Sequence, residues 1–256
     1  MKYFNPKEKK EPEAFCAWKR QELERLITIC KSNPASERAL YEHLPSSLPR
    51  EEEDGISYYS KLELRAALLR EQGYICCFCN RMIDHKPERE YKKHELADLP
   101  EEIEHMRPVH MFPKNALDYD NLAVSCRGGR GTGKETCNAS KGASMLPLTP
   151  FDASCEERIF FTEDGQIQGD DEDAEKTIEI LNLTAYDKDR AETIAGFIYA
   201  FQDEEEMENG FSDTLISKGE AEQIVNVLSQ KDEQGRFRPF CSAVISVLKR
   251  EIIQAT

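Results

Sequence analysis

The sequence has no apolar run that approaches the roughly 20 residues needed for a membrane-spanning helix. Its N-terminal segment, MKYFNPKEKKEPE, also lacks the apolar stretch of a secretory signal. Hydrophobic residues nevertheless make up 39% of the 256 residues, which argues against wholesale disorder. The sequence therefore predicts a folded cytoplasmic protein that makes no membrane contact.

An excess of positive charge is lacking as well, since the formal net charge is -15. Residues 1–150 contain 24 basic and 24 acidic side chains, whereas residues 151–256 contain 10 basic and 25 acidic ones. The acidic half is not expected to bind a phosphate backbone. It suits a basic protein surface, or it serves solubility alone.

Nine cysteines occur in a chain without an export signal, so a disulfide framework is not expected. Cys76 and Cys79 form a C-x-x-C pair, and Cys126 and Cys137 stand on either side of a glycine-rich insert. Four thiolates bind zinc tetrahedrally and leave no open position, which is typical of a structural site. The spacing alone leaves zinc binding and core packing open for these four residues. Cys77 is expected to pack in the core.

Hydrophobic periodicity and breaker residues predict the elements of the first half of the chain. Helices are expected over 13–32 and 60–72, the second with Ser60 and Glu63 as a capping box. Gly73 ends that helix and is followed by a predicted strand, a cysteine knuckle and a returning strand. The remaining predictions are loops over 44–57 and 84–100, an extended segment over 101–112 and a short helix from 137.

Beyond Pro150 the pattern predicts a hairpin with Asp164-Gly165 at its turn. Four helices are then expected, over about 172–182, 187–206, 213–230 and 239–254. The side chains predicted to face inward are Leu181, Ala185, Ile194, Phe197, Ile198, Phe201, Ile224, Val227, Leu228, Val244, Ile245, Leu248 and Ile252.

A second group of chemically distinctive residues lies among the cysteines. Glu104 and His105 open an E-H-x-x-P sequence, Asn121 precedes a leucine, and a C-N-x-x-K sequence contains Asn138 and Lys141. In this order, residues 73–142 resemble the HNH nuclease motif on its ββα-metal fold, in the version with a four-cysteine zinc clamp. The resemblance implies an α+β fold with three parts: an N-terminal helical segment over 1–72, a zinc-stapled ββα-metal core over 73–150, and an acidic, partner-binding helical region over 151–256.

The resemblance also implies a role for each residue of the motif. His105 is expected to be the general base and Asn121 the residue that holds the loop and the base in place. Glu104 and Asn138 are the implied ligands of a catalytic Mg²⁺ or Mn²⁺, while Zn²⁺ occupies the four cysteines. Phosphodiester hydrolysis needs such groups, because a neutral imidazole can accept the proton of water and a divalent cation stabilises charge on the phosphate. His110 is expected to be a surface residue.

Residues 105–141 carry six basic and three acidic side chains, and phosphate contacts are expected from some of them. Gly128, Gly133 and Lys134 have the spacing of a nucleotide-binding P-loop. Glu135 stands where that motif requires Ser or Thr, so we do not expect nucleotide binding. The candidate nucleic-acid contacts are Arg107, Arg127, Arg130, Lys134 and Lys141.

The layout of the whole chain is similar to that of PtuB-type HNH nucleases in Septu and retron-linked anti-phage systems. That resemblance implies a toxic effector that cuts DNA or tRNA under the control of an ABC/SMC-like, PtuA-type ATPase. In retron-linked systems a reverse transcriptase and its msDNA join the complex. Two alternatives stay open: a zinc-ribbon adaptor without catalysis, and a restriction-type or homing HNH endonuclease.

Overall fold

The computed structural model describes residues 1–29, 41–42, 60–84, 99–198 and 216–253. The loop predicted over 44–57, most of the loop predicted over 84–100, Cys30 and Phe201 therefore lie outside the described residues. No helix within the described ranges is both long enough and apolar enough to cross a membrane.

The chain combines helices with two small antiparallel sheets. The first sheet pairs β1 (Glu101–His105) with β2 (Leu122–Cys126), and the second pairs β3 (Ile159–Phe161) with β4 (Ile167–Gly169). The helices are α1 (Glu13–Ile29), α2 (Lys61–Gln72), α3 (Cys137–Lys141), α4 (Cys155–Arg158), α5 (Glu172–Leu181), α6 (Asp187–Ile198), α7 (Lys218–Leu228) and α8 (Cys241–Val247), the last continued by a π-helix (Leu248–Ile253). Short 3-10 turns occur at Pro6–Glu8, Pro113–Asn115, Tyr119–Asn121 and Leu183–Tyr186.

The predicted capping box begins α2. The Ser60 hydroxyl accepts a hydrogen bond from the Glu63 N–H at 3.1 Å, and the Glu63 carboxylate accepts one from the Ser60 N–H at 3.0 Å. The helix ends at Gly73, which has φ +64°, and a Cβ there would lie 2.4 Å from the ring of Phe237. Glycine is therefore needed both for the left-handed backbone and for the close approach of the C-terminal region.

Two strands followed by a helix form the centre of the molecule. In the antiparallel register of β1 and β2, Glu104 lies opposite Ala123 and His105 lies opposite Leu122. The two strands predicted on either side of the cysteine knuckle are wrong, because within residues 74–83 only Ile75 and Met82 pair, as an isolated bridge. Hydrogen bonds of tight turns close this segment, so that one pair of residues remains to form a β-bridge.

The hairpin predicted in the C-terminal half is confirmed, with Gly165 at φ +80° in its turn. Two of the predicted inward positions are wrong, since Ala185 and Val227 are exposed. The 3-10 turn after α5 changes the period, so that Leu183 and Tyr186 face the core in place of Ala185. On α7 the buried stripe consists of Ala221, Ile224 and Leu228, and Val227 lies outside it.

One apolar core extends through the described residues from the N-terminal segment to the C-terminal helices. Several contacts cross the predicted boundary near residue 150. The Asn80 carbonyl accepts from the Phe240 N–H at 2.9 Å, and its side chain accepts from the Ser242 hydroxyl. The hydroxyls of Thr136 and Tyr186 are hydrogen-bonded at 2.6 Å. The central sheet and the acidic helices thus pack against each other around one core.

Candidate functional site

Four cysteine thiols converge where the knuckle, the end of β2 and the start of α3 meet. The Sγ atoms of Cys76, Cys79, Cys126 and Cys137 all lie within 4.8 Å of one another. Two of the separations are 3.9 Å (Cys76 to Cys137) and 3.7 Å (Cys79 to Cys126). Tetrahedral zinc at about 2.3 Å from each sulfur separates the sulfurs by about 3.8 Å. The predicted cluster is confirmed as one that could hold a metal ion, and its geometry is consistent with structural zinc.

Local backbone geometry brings these thiols together. Asn80 adopts φ +60° and donates both its N–H and its side-chain amide to the Cys76 carbonyl, at 3.1 and 3.2 Å. Gly128 adopts φ +61°, and a Cβ there would lie 2.0 Å from the Thr136 carbonyl oxygen. The glycine therefore allows the insert to fold back and bring Cys126 and Cys137 to the same site.

The neighbouring Cys77 does not belong to this cluster. Its side chain is fully buried, and its N–H donates to the Val124 carbonyl at 3.1 Å. Burial raises the pKa of the Cys77 thiol well above its ordinary value, which favours the uncharged thiol expected of a packing residue.

Asn121 holds the loop that follows His105. Its Oδ1 accepts from the Arg107 N–H at 2.7 Å, while its Nδ2 donates to the carbonyls of Arg107 at 3.2 Å and Asn115 at 3.0 Å. The side chain is only 5% exposed. A single carboxamide therefore joins both ends of the segment between Arg107 and Asn115.

His105 is half-buried at the end of β1. Its Nε2 lies 3.0 Å from the Ala116 carbonyl, and because a carbonyl only accepts, Nε2 carries the proton and Nδ1 keeps the lone pair. The Tyr41 ring stands edge-on to the imidazole, with 4.7 Å between centroids. Burial lowers the pKa of His105 to about 4. The imidazole is therefore neutral at physiological pH and able to accept a proton.

Glu104 forms a buried ion pair with Lys141. The ammonium lies 2.7 Å from the carboxylate, and both side chains are 2% exposed. Burial raises the pKa of Glu104 to about 7, against the lowering effect of Lys141. Lys141 also donates to the His105 carbonyl at 3.3 Å. This ammonium, predicted to contact phosphate, is engaged inside the protein, since α3 packs over the sheet.

Asn138 contacts a carboxylate that the sequence reasoning missed. Its Nδ2 donates to Glu102 at 2.8 Å, and Arg130 donates to the same carboxylate through Nε at 2.8 Å and a terminal nitrogen at 2.7 Å. Glu102 and Glu104 share a face of β1, because side chains alternate along a strand. That alternation is the signal that could have indicated Glu102.

A small cavity connects several predicted site residues. It has a volume of about 240 Å³, and its lining includes Glu104, His105, His110, Asn138 and Lys141. His110 is exposed, as expected, and it also borders this cavity. Three residues implied for catalysis or metal binding thus meet at one opening.

The other candidate phosphate contacts differ in their exposure. Arg107 and Lys134 are exposed, and Arg127 is half-buried. Arg130 is partly exposed but paired with Glu102. Arg107, in the loop after β1, and Lys134, in the glycine-rich insert, are therefore open to solvent.

Comparison with known proteins identifies no family for this chain. No family model matches it, and no curated protein is detectably similar in sequence. Function must be argued from the site itself.

Proposed function

We propose that this chain is a metal-dependent endonuclease of the HNH type, which hydrolyses phosphodiester bonds of DNA or tRNA. The proposal rests mainly on the hydrogen bonds of the Asn121 side chain. Its three hydrogen bonds restrain the loop after His105, next to a cavity that Glu104, His105 and Asn138 share. An adaptor needs no such restrained imidazole.

The proposed base is Nδ1 of His105. The Ala116 carbonyl occupies Nε2, so a proton taken from water would go to Nδ1. The lowered pKa keeps the imidazole neutral, which a base requires, although it also makes the base weak. The loop held by Asn121 fixes the position of the ring.

Glu104 and Asn138 are the proposed ligands of Mg²⁺ or Mn²⁺. A carboxylate and a carboxamide are hard oxygen donors of the kind these cations prefer. The bound cation would supply charge stabilisation for the phosphate and the leaving oxygen. For Glu104 to serve, the Lys141 ammonium must turn away from its carboxylate, and the freed ammonium could then approach a phosphate as the sequence predicts.

Exposed cations and the charge of the C-terminal region support the proposed substrate and partners. Arg107 and Lys134 are exposed and could contact a phosphate backbone. The acidic C-terminal region could dock an ABC/SMC-like ATPase with a basic surface, and a retron reverse transcriptase with msDNA could join that complex. Such an effector would act in the cytoplasm.

One observation favours a second function, a zinc-binding adaptor without catalysis. The Glu104 carboxylate is already neutralised by Lys141, and both groups are buried. A buried ion pair of this kind also occurs as a purely structural feature. The four-thiol cluster serves either function equally well.

A cleavage assay distinguishes the two functions. Wild type and His105→Ala would be incubated with plasmid DNA and with total tRNA, in Mg²⁺, Mn²⁺ or EDTA, with and without the partner ATPase. We expect cleavage that requires the cation and falls at least about 100-fold in the variant, the usual contribution of a general base. His94→Ala, the same substitution outside the motif, is the control. Cleavage retained by His105→Ala would contradict the assignment, and no cleavage under any condition would favour the adaptor.

A further inference from the structure

The carboxylate of Glu102 stands between two partners at the edge of the candidate site. On one side it accepts a hydrogen bond from Nδ2 of Asn138 at 2.8 Å. On the other side Arg130 holds both of its oxygens through Nε and a terminal nitrogen, at 2.8 and 2.7 Å. Glu102 is implied neither as a base nor as a metal ligand, yet it touches a residue with an implied role.

The hydrogen bond from Asn138 decides which end of its carboxamide faces where. A carboxylate only accepts hydrogen bonds, so the atom of Asn138 directed at Glu102 must be the nitrogen. The carbonyl oxygen, Oδ1, is then the end left for other partners. Only this oxygen can bind a hard cation.

Arg130 restrains the orienting carboxylate in turn. A guanidinium that donates two parallel hydrogen bonds fixes both the position and the plane of a carboxylate. The Glu102 side chain is 26% exposed, so this pairing lies at the border between the protein interior and solvent. Arg130 belongs to the glycine-rich insert and therefore links the insert to Asn138 through Glu102.

We propose that Glu102 is a positioning residue, which orients the Asn138 carboxamide so that Oδ1 is presented to a divalent cation. The inference rests on the proposed function, in which Asn138 is a metal ligand. Glu102 acts through Asn138 and does not itself touch the cation. Carboxylates that hold metal ligands by hydrogen bonds commonly change metal affinity by about 10–100-fold when removed.

A double-mutant cycle on Mn²⁺ affinity tests this inference without any cleavage measurement. Calorimetry would give the affinity of the zinc-loaded full chain for wild type, Glu102→Ala, Asn138→Ala and the double variant. We expect Glu102→Ala to weaken binding by about tenfold or more. In the Asn138→Ala background the same change should have less than about a twofold effect, because the group it orients is gone.

Glu102→Gln separates orientation from charge. Its side-chain oxygen can still accept from Asn138 and from the terminal nitrogen of Arg130, which share one carboxylate oxygen in the wild type. The negative charge and the acceptor for Arg130 Nε are removed. We expect this variant to bind Mn²⁺ within about threefold of wild type, against about tenfold or more for Glu102→Ala. An equal loss in both variants would overturn the inference, since the acceptor for Asn138 would then have no effect of its own. Unchanged zinc content and melting temperature would show that each variant is folded.

The outcomes for the inference and for the proposed function are distinguishable. If Asn138→Ala leaves Mn²⁺ affinity unchanged, Asn138 is not a ligand and the proposed metal site fails. If Asn138→Ala weakens binding and Glu102→Ala has no effect, or has the same effect in both backgrounds, only the positioning role fails.

Discussion

A single side chain, that of Asn121, shapes the loop beside the candidate site. A buried carboxamide with three main-chain hydrogen bonds is an efficient way to shape a loop, because every polar group it buries is paired. The Lys9 ammonium stabilises the 3-10 turn that contains Asn121, because it donates to the carbonyls of Tyr119, at 2.5 Å, and Leu122. The position of His105 thus depends on Asn121 and Lys9, which lie outside the implied catalytic contacts.

Replacement of Asn121 by alanine should destabilise the protein. It leaves the Arg107 N–H without its acceptor and removes one donor each from the carbonyls of Arg107 and Asn115, of which the second keeps the Asp118 N–H. We therefore expect a loss of about 2–4 kcal/mol in the free energy of unfolding. Urea denaturation would measure this loss. Asn115→Ala is the matched control, because within the part of the chain that the structure describes that side chain makes only an exposed hydrogen bond to Asp118. A loss no greater than that of the control would contradict the role given to Asn121.

Residue types and spacing predict the candidate ligand residues of this site, but they do not predict which side chains pair with one another. The resemblance to the HNH motif predicts Cys76, Cys79, Cys126 and Cys137 as one set of zinc ligands, whereas their spacing alone leaves core packing open. The pairing of Lys141 with Glu104 was not foreseen, since it depends on how α3 packs against β1. The role of Glu102 was missed for the same reason.

At the scale of elements, the cysteine knuckle, β2 and α3 are joined at their ends by the four thiols. Short elements such as these contribute little stability on their own. A metal bound to all four thiolates would fix their relative positions and would contribute folding free energy directly. With that metal bound, the arrangement of the elements around the cavity would depend on this cluster.

Loss of one thiol should therefore release the metal and destabilise the fold. We expect purified wild type to contain about one zinc per chain and Cys137→Ser to contain almost none, with a clearly lower melting temperature. Elemental analysis and thermal unfolding would measure both quantities. Cys16→Ser, which changes a thiol outside the cluster, should leave both unchanged. Zinc content and melting temperature retained in Cys137→Ser would contradict the proposed zinc site.

The errors in the predicted elements have local causes. The capping box at Ser60 and the Asp164-Gly165 turn were correct, because both signals are contained within a few residues. Ala185 was wrong because a 3-10 turn replaced the expected α-helical period. Turns replace the predicted strands beside the knuckle, because hydrogen bonds within residues 74–83 close that segment.

At the scale of the whole molecule, the net charge differs between the two halves of the sequence, whereas the apolar core is shared by both. The net negative charge comes from residues 151–256, whereas one apolar core joins the described residues on both sides of position 150. The C-terminal helices therefore support the central sheet. A partner docked on their acidic surface could influence the site through this shared packing.

The proposed nuclease must hold two metals of different kinds in one chain, zinc on sulfur and a hard cation on oxygen. The most direct measurement is the anomalous diffraction of crystals of the zinc-loaded protein soaked in Mn²⁺. We expect a zinc peak amid the four thiols and a manganese peak between Glu104 and Asn138, with the Lys141 ammonium moved away from Glu104. No manganese peak at Glu104, with Lys141 still paired to it, would contradict the proposed nuclease and leave the zinc-binding adaptor.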